Sequence, residues 1–239
     1  MTEIRKRFHD ELQGLESDLQ RLAHLVDVML EKAVELLTER PIEHTKAAVK
    51  EIVNADDEVD DLYLTIERRW HEVMAMQTPV AIDLRFMSAV THINAHLERM
   101  GDVAVNIAKT ARKTRKLPFT QTILDYLQEM GDATRHMIRT AMRSFAQRDH
   151  ELALTLPTLD DEVDRLNRKM YREVGKSDSE LIDWAIRMMI MSRYLERVGD
   201  HAVDIAEQVA FLVTGVFREF GEVEEQGDEA ASPEEANAR

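Results

Sequence analysis

Pairs of acidic residues four positions apart recur along this chain. In an α-helix, residues at this spacing lie on the same face, with Cβ atoms about 6 Å apart. Two carboxylates so placed repel each other and cost the helix roughly a few tenths of a kcal/mol unless a cation lies between them. Carboxylate oxygens are also suitable ligands for Fe, Mn, Zn, Mg or Ca ions. The pairs are Asp56/Asp60, Glu98/Asp102, Asp160/Asp164 and Glu196/Asp200.

The pairs occupy matching positions in two copies of one sequence pattern. Residues 55–62, ADDEVDDL, recur as residues 159–166, LDDEVDRL. Residues 96–108, HLERMGDVAVNIA, recur as residues 194–206, YLERVGDHAVDIA. An internal repeat predicts two similar structural units. If the acidic stripes of two helices converge within each unit, each unit presents four carboxylates as a candidate multinuclear metal site, and Asn106 and Asp204 extend the stripes by one turn.

A glycine accompanies the second acidic pair in each copy. Gly101 and Gly199 each cost their helix about 1 kcal/mol relative to alanine. A repeated glycine inside a helical pattern predicts close approach by a backbone, a side chain or an ion. Against a metal site, acidic helix faces are commonly solvated, and Arg99 and Arg197 could neutralise the carboxylates as ordinary salt bridges.

The histidines give a weaker signal. His92 and His96 are four residues apart and could bind zinc, and His201 could join the site of Asp200. None of the three is matched by a histidine in the other copy. The pattern therefore favours packed or exposed histidines over ligands.

Composition excludes several classes of function. The chain has 46 acidic and 31 basic residues and a net charge of −15, which opposes direct nucleic-acid binding. It has no cysteine, so disulfides, thiolate nucleophiles and Cys-ligated zinc or iron-sulfur sites are excluded. The N-terminal residues carry no apolar segment typical of a secretory signal, and no apolar run approaches the roughly 20 residues of a membrane span. We expect a soluble, cytoplasmic protein without enzyme signatures.

The elements that must position the acidic pairs are helices. With only eight glycines and five prolines, and with apolar residues at steps of three and four, the chain is predicted to be all-α. Breaks at Pro41 and at residues 77–79, 116–118, 148–149 and 175–178 predict six helices, with a kink at Pro157. The expected organisation is two tandem three-helix bundles related by the internal repeat, at residues 1–116 and 118–220, followed by a disordered acidic tail at residues 221–239.

In combination, the repeated acidic motifs and residues 77–85, QTPVAIDLR, resemble the PhoU family. The resemblance covers roughly residues 1–217 and implies multinuclear clusters of Fe, Zn or Mn on the four acidic pairs. It also implies a cytoplasmic regulator that represses phosphate-starvation signalling and limits phosphate uptake. Its implied partners are the ATPase subunit of the Pst phosphate ABC transporter and a PhoR-type sensor histidine kinase, with membrane contact only through partners and homodimer formation. Because Asn106 stands where the second copy has Asp204, the two sites are expected to differ in affinity or occupancy.

Two other functions remain open at this stage. One is a carboxylate-bridged di-metal enzyme, although ferritin-like bundles use a Glu-x-x-His motif that is not repeated here. The other is a metal-free structural adaptor whose acidic faces are solvated or dock basic surfaces.

Overall fold

The computed structural model describes residues 3–39 and 45–220. Over these residues the chain forms helices and no strand, which confirms the all-α prediction. Pro41 and the predicted acidic tail at residues 221–239 lie outside the described residues. The helices are α1 (Glu3–Thr38), α2 (Thr45–Met76), α3 (Ile82–Thr114), α4 (Gln121–Gln147), α5 (His150–Ala153), α6 (Leu156–Val174) and α7 (Ile182–Thr214).

The two copies of the sequence pattern fold as two three-helix bundles. Helices α1, α2 and α3 pack against one another, and so do α4, α6 and α7. The tandem arrangement of two repeated bundles is confirmed, while the domain boundaries at residues 116 and 118 stay a prediction. None of the described helices combines the length and the apolar character that crossing a membrane requires.

The last helix of each bundle presents an equivalent apolar stripe to the core. The buried positions recur at steps of three and four, as expected for a helix with one apolar face. This stripe fixes the rotation of α3 and α7 and therefore the direction of the acidic stripe beside it. Its members are Phe86, Val90, Ile93, Leu97, Met100, Ala104 and Ile107 in α3, and Trp184, Met188, Met191, Leu195, Val198, Ala202 and Ile205 in α7.

The bundles share one continuous core. Helix α1 packs on α4, and α3 packs on α7. Between α1 and α4, the buried Arg135 guanidinium donates through Nε to Asp27 Oδ1 at 3.0 Å and its Nη1 lies 2.7 Å from Glu31 Oε1. Because the buried cation has two carboxylate partners, its desolvation is compensated.

The prediction of six helices with a kink at Pro157 is wrong. A single-turn helix, α5, follows α4, and a new helix begins at Leu156 with Pro157 in its first turn. Backbone N–H groups in the first turn of a helix have no intrahelical acceptor, so proline sacrifices no hydrogen bond there. The proline therefore starts α6 rather than bending a longer helix.

A close contact between α1 and α4 generates a stability prediction. A Cβ on Gly131 would lie 2.7 Å and 2.9 Å from the two γ-methyl carbons of Val34. Overpacking of this kind costs about 1–3 kcal/mol, and the gain in helix propensity returns at most about 1 kcal/mol. We expect Gly131→Ala to lower the free energy of unfolding, measured by urea denaturation, by about 1–2 kcal/mol.

The control for this contact is a double-mutant cycle with Val34→Ala. Truncation of Val34 makes room for the new methyl group, so the double variant is expected to lose less stability than the sum of the single variants, by about 1 kcal/mol. Additive losses would show that the two side chains do not meet in the folded protein.

Candidate metal centres

The first carboxylate cluster consists of Asp56 and Asp60 on α2 with Glu98 and Asp102 on α3. Because α2 and α3 pack against each other, the negative charges of the carboxylates on the two helices repel one another. Burial, with the negative charges of Asp60 and Asp102, raises the pKa of Asp56 to about 6. Burial and then Asp102 and Asp60 raise the pKa of Glu98. The predicted convergence of the two acidic stripes is therefore present in the first bundle.

The second carboxylate cluster consists of Asp160 and Asp164 on α6 with Glu196 and Asp200 on α7. Burial, followed by the charges of Asp200, Asp164 and Glu196, raises the pKa of Asp160 to about 7. Burial also raises the pKa values of Glu196 and Asp200, although Arg193 opposes both shifts. The repeat thus places four coupled carboxylates in each bundle.

The two repeated glycines make room for one carboxylate each. A Cβ on Gly199 would lie only 2.6 Å from Asp160 Oδ1, and a Cβ on Gly101 would lie 3.5 Å from Asp56 Oδ1. A close approach, as predicted, is therefore present at Gly199, where the approaching group is the Asp160 carboxylate. At Gly101 the nearest atom is Val59 Cγ1, at 3.3 Å, and Asp56 lies slightly farther away. In each bundle, the first aspartate of the second helix therefore lies beside the glycine of the third helix.

The electrostatic state of both clusters suits a cation. Asp160 Oδ1 is buried and has no hydrogen-bond partner among the residues that the structure describes, which is costly for a carboxylate oxygen. In the part of the chain that the structure describes, no lysine or arginine forms an ion pair with a member of the first carboxylate cluster. An all-oxygen donor set with surplus negative charge fits Mn, Fe, Mg, Ca or Zn ions.

The arginines that form salt bridges with the carboxylates differ from those expected from the sequence. Within the described ranges, Arg99 and Arg197 form no ion pair with a carboxylate. In the second cluster, Arg193 pairs with Glu196, and Arg168 Nη1 lies 3.6 Å from Asp164 Oδ2. Both arginines are more than half exposed and neither reaches Asp160, so in the described ranges this half-buried carboxylate has no ion-pair partner.

Asn106 and Asp204, which extend the two stripes in sequence, have different surroundings. Asn106 is exposed on α3, and its side chain has no hydrogen bond among the described residues. Asp204 Oδ2 instead lies 3.5 Å from Nδ1 of both His96 and His201. These two Nδ1 atoms are 3.1 Å apart. His96, His201 and Asp204 together form what we call the His–Asp cluster.

The sequence offers His96, His201 and Asp204 singly as candidate ligands, but the internal repeat does not predict that the three meet, because the two copies do not share them. His96 lies on α3 and His201 on α7, so the cluster crosses from one bundle to the other. The two copies of the thirteen-residue motif differ at four positions, and three of these carry the cluster or its counterparts. The available signal was therefore the departure from the repeat rather than the repeat itself.

Comparison with known proteins gives a consistent assignment. The model of the PhoU domain family matches residues 19–111 and again residues 127–209, so each bundle is matched once. A phosphate-specific transport system accessory protein PhoU homologue from Zymomonas mobilis is 34% identical over 218 residues, covering 88% of each chain. PhoU homologue 1 from Methanothermobacter thermautotrophicus is 30% identical over 210 residues, covering 87% of this chain and 94% of the relative.

Solved structures agree with the sequence comparison. The crystal structure of PhoU from Pseudomonas aeruginosa superposes with a TM-score of 0.81 at 28% identity, covering 87% of this chain and all of that one. The phosphate transport system regulatory protein PhoU from Streptococcus pneumoniae gives a TM-score of 0.79 at 25% identity, covering 88% of this chain and 99% of that one. These relatives are named as accessory or regulatory proteins and not as enzymes. With both repeats matched and nearly the whole length covered, this chain belongs to the PhoU family.

Proposed function

We propose that this protein is a metal-binding regulatory adaptor of phosphate homeostasis rather than an enzyme. It represses phosphate-starvation signalling and limits phosphate uptake when phosphate is plentiful. The observation that carries the proposal is the family match over both repeats, with relatives named as accessory proteins of the phosphate-specific transport system. The described helices offer paired carboxylates for metal ions and none of the nucleophile or cofactor motifs of an enzyme.

The two carboxylate clusters are the proposed metal sites. Asp56, Asp60, Glu98 and Asp102 hold one set of ions, and Asp160, Asp164, Glu196 and Asp200 hold the other, with Asn106 and Asp204 at their margins. Bound Fe, Zn or Mn ions, or alternatively Mg or Ca, supply positive charge that offsets the repulsion between carboxylates. The buried, unpartnered Asp160 Oδ1 supports this assignment more directly than any other atom.

The clusters also lie where a partner protein can reach them. Asp60, Asp102 and Asp200 are exposed, whereas Asp56 and Asp160 lie deeper between the helices. Metal bound between the deeper and the exposed carboxylates would fix the surface that a partner recognises.

The partners in this proposal are proteins. They are the ATPase subunit of the Pst transporter and a PhoR-type sensor histidine kinase, and the protein acts in the cytoplasm as a homodimer. It reaches the membrane only through these partners. The net charge of −15 opposes direct binding to nucleic acid.

A complementation experiment tests the function. In cells that lack this gene, a phosphate-starvation reporter is expected to stay active in high phosphate. The wild-type protein is expected to restore repression. A quadruple variant (Glu98→Ala, Asp102→Ala, Glu196→Ala and Asp200→Ala) is expected to fail, because it lacks the carboxylates that hold the metal.

The matched control removes the same charge outside the clusters. Asp57→Ala, Asp61→Ala, Asp161→Ala and Glu162→Ala alter four exposed acidic residues on α2 and α6 and are expected to leave repression intact. If the wild-type protein leaves the reporter active, the phosphate role is wrong. If the cluster variant represses fully, the protein acts as a metal-free adaptor.

The same quadruple variant gives a direct prediction for metal content. Elemental analysis by mass spectrometry of untagged protein, purified without chelators, is expected to show stoichiometric metal in the wild type and its loss in the variant. Circular dichroism should show an unchanged helical content, since the altered side chains lie beside the apolar stripe and not in it. Equal metal in both proteins would remove the carboxylates as ligands.

Gly199→Ala and Gly101→Ala separate the two clusters in this measurement. The methyl group at position 199 must displace Asp160 Oδ1, whereas at position 101 the carboxylate of Asp56 is already at ordinary contact distance. We therefore expect Gly199→Ala to lose metal from the second cluster only, and Gly101→Ala to lose less.

The raised pKa of Asp160 predicts an unusual pH dependence for metal-free protein. Folding raises the pKa of this carboxyl from its ordinary value of 3.8 to about 7, so the folded chain binds the proton more tightly than the unfolded chain does. The contribution of this group to the free energy of unfolding is therefore largest near pH 4. It falls as pH rises and is lost above the folded pKa of about 7. Bound metal competes with the proton, so metal should stabilise the protein more strongly at pH 8 than at pH 5.5.

Melting temperatures at pH 5.5 and pH 8, with and without chelator, measure this effect. Asp160→Asn is expected to raise the melting temperature of chelated protein at pH 8 and to flatten its pH dependence. The control, Asp161→Asn, alters the exposed neighbour and should behave as the wild type does. A pH profile unchanged by Asp160→Asn would show that neither burial nor the neighbouring carboxylates raise the pKa of Asp160 in the folded protein.

A further inference from the structure

We propose that the His–Asp cluster is a third metal site, for a transition-metal ion of the Zn²⁺ class, built between the two repeats. His96 contributes from α3, and His201 and Asp204 contribute from α7. The site is separate from the two carboxylate clusters, each of which lies within one bundle. Its ligands include two imidazoles, which the carboxylate clusters lack.

The spacing of the three donor atoms matches the coordination shell of such an ion. Nδ1 of His96, Nδ1 of His201 and Oδ2 of Asp204 form a triangle with edges of 3.1, 3.5 and 3.5 Å. Bonds of about 2.0–2.1 Å in a tetrahedral zinc site place neighbouring donor atoms about 3.3–3.4 Å apart. The triangle therefore needs only small adjustments to hold one ion, and the fourth position is left for water or a partner's ligand.

The triangle is poorly explained by hydrogen bonding alone. If both Nδ1 atoms carry hydrogens for Asp204, the 3.1 Å contact between them joins two donors. If one Nδ1–H donates to the other Nδ1, neither Nδ1 atom donates a hydrogen bond to Asp204. The two distances of 3.5 Å to Asp204 Oδ2 are also longer than normal charge-assisted hydrogen bonds of about 2.7–2.9 Å. A single cation satisfies all three atoms at once.

The pKa shifts of His96 and Asp204 favour the protonation states that a metal ion requires. Burial lowers the pKa of His96 to about 4, although Asp204 opposes the shift, so its imidazole is neutral at pH 7. Burial alone would raise the pKa of Asp204, but the adjacent His201 and then His96 lower it overall. Neutral imidazole and ionised carboxylate are ligand forms. Nitrogen donors select Zn, Fe, Co, Ni or Cu over Mg and Ca.

The site is accessible to solvent. The internal repeat does not generate a second, symmetry-related copy of it. The side chains of His96 and His201 are 16% and 15% exposed, whereas that of Asp204 is 45% exposed and opens the site to solvent. When the two copies are exchanged, the positions of His96, His201 and Asp204 are taken by Tyr194, Val103 and Asn106, which provide no such donor set. One ion per chain is therefore expected, and it would link α3 of the first bundle to α7 of the second.

The experiment uses the full-length chain with Zn²⁺ and Co²⁺ as probes. Each carboxylate cluster is first disabled by removing two of its four carboxylates, through Glu98→Ala, Asp102→Ala, Glu196→Ala and Asp200→Ala, so that the His–Asp cluster is the one complete candidate site among the described residues. We expect this protein to bind one Zn²⁺, with imidazole scattering in its zinc X-ray absorption spectrum, and to give the intense visible bands of four-coordinate Co²⁺. Free Zn²⁺ at about 100 times its Kd should raise the melting temperature by roughly 5–10 °C.

Adding His96→Gln and His201→Gln to that background should weaken Zn²⁺ binding at least about 100-fold and abolish the imidazole signal. The matched control is His92→Gln, which alters the exposed histidine one turn before His96 and should bind as its parent does. If the disabled background does not fold, the same histidine variants are compared in the otherwise wild-type chain by the Co²⁺ bands and the X-ray absorption spectrum.

Two outcomes would overturn the site. One is an absence of imidazole scattering in zinc-loaded protein that still has both histidines. The other is a loss of Zn²⁺ affinity that is as large for His92→Gln as for the histidine pair. Because both outcomes concern the histidines alone, neither bears on whether the carboxylate clusters bind metal or regulate phosphate signalling.

Discussion

Repulsion between carboxylates on packed helices is the constraint around which both repeats are built. Each helix holds two acidic side chains four residues apart, and the neighbouring helix brings two more against them. Burial, and then the negative charges of the neighbouring carboxylates, raise the pKa values of Asp56 and Asp160, so the folded chain opposes their ionisation. The core has to hold these side chains together against that repulsion. A bound cation would turn the same arrangement from a cost into a source of stability.

The core sets the geometry of the clusters through the rotation of the helices. In each repeat the acidic stripe borders the buried stripe of the third helix, so fixing Leu97 or Leu195 in the core turns the carboxylates toward α2 or α6. Gly199 then leaves the space that the Asp160 carboxylate occupies, whereas Asp56 lies at ordinary contact distance from Gly101. The helix propensity that is lost at Gly199 is therefore the cost of bringing the Asp160 carboxylate close to α7.

The sequence predicted the parts that follow from local periodicity and from the repeat. The all-α fold, the two bundles and the meeting of the acidic stripes all depend on helical spacing, which neighbouring residues determine. The start of α6 at Leu156 depended on whether the helix that begins at His150 continued through Pro157, and the apolar period alone could not decide that. The contact between His96 and His201 depends on how α3 packs against α7 across 105 positions of sequence, so no local pattern contains it.

The His–Asp cluster makes the two halves of the molecule inequivalent. Asp204 contacts the histidines, and its charge adds to burial in raising the pKa of Asp200 in the second carboxylate cluster. A cation held by the histidines would screen Asp204 and so favour the ionised, metal-binding form of Asp200. The first carboxylate cluster has Asn106 at the matching position and lacks this connection. The second cluster is therefore the one whose occupancy should depend on the contact between the two bundles.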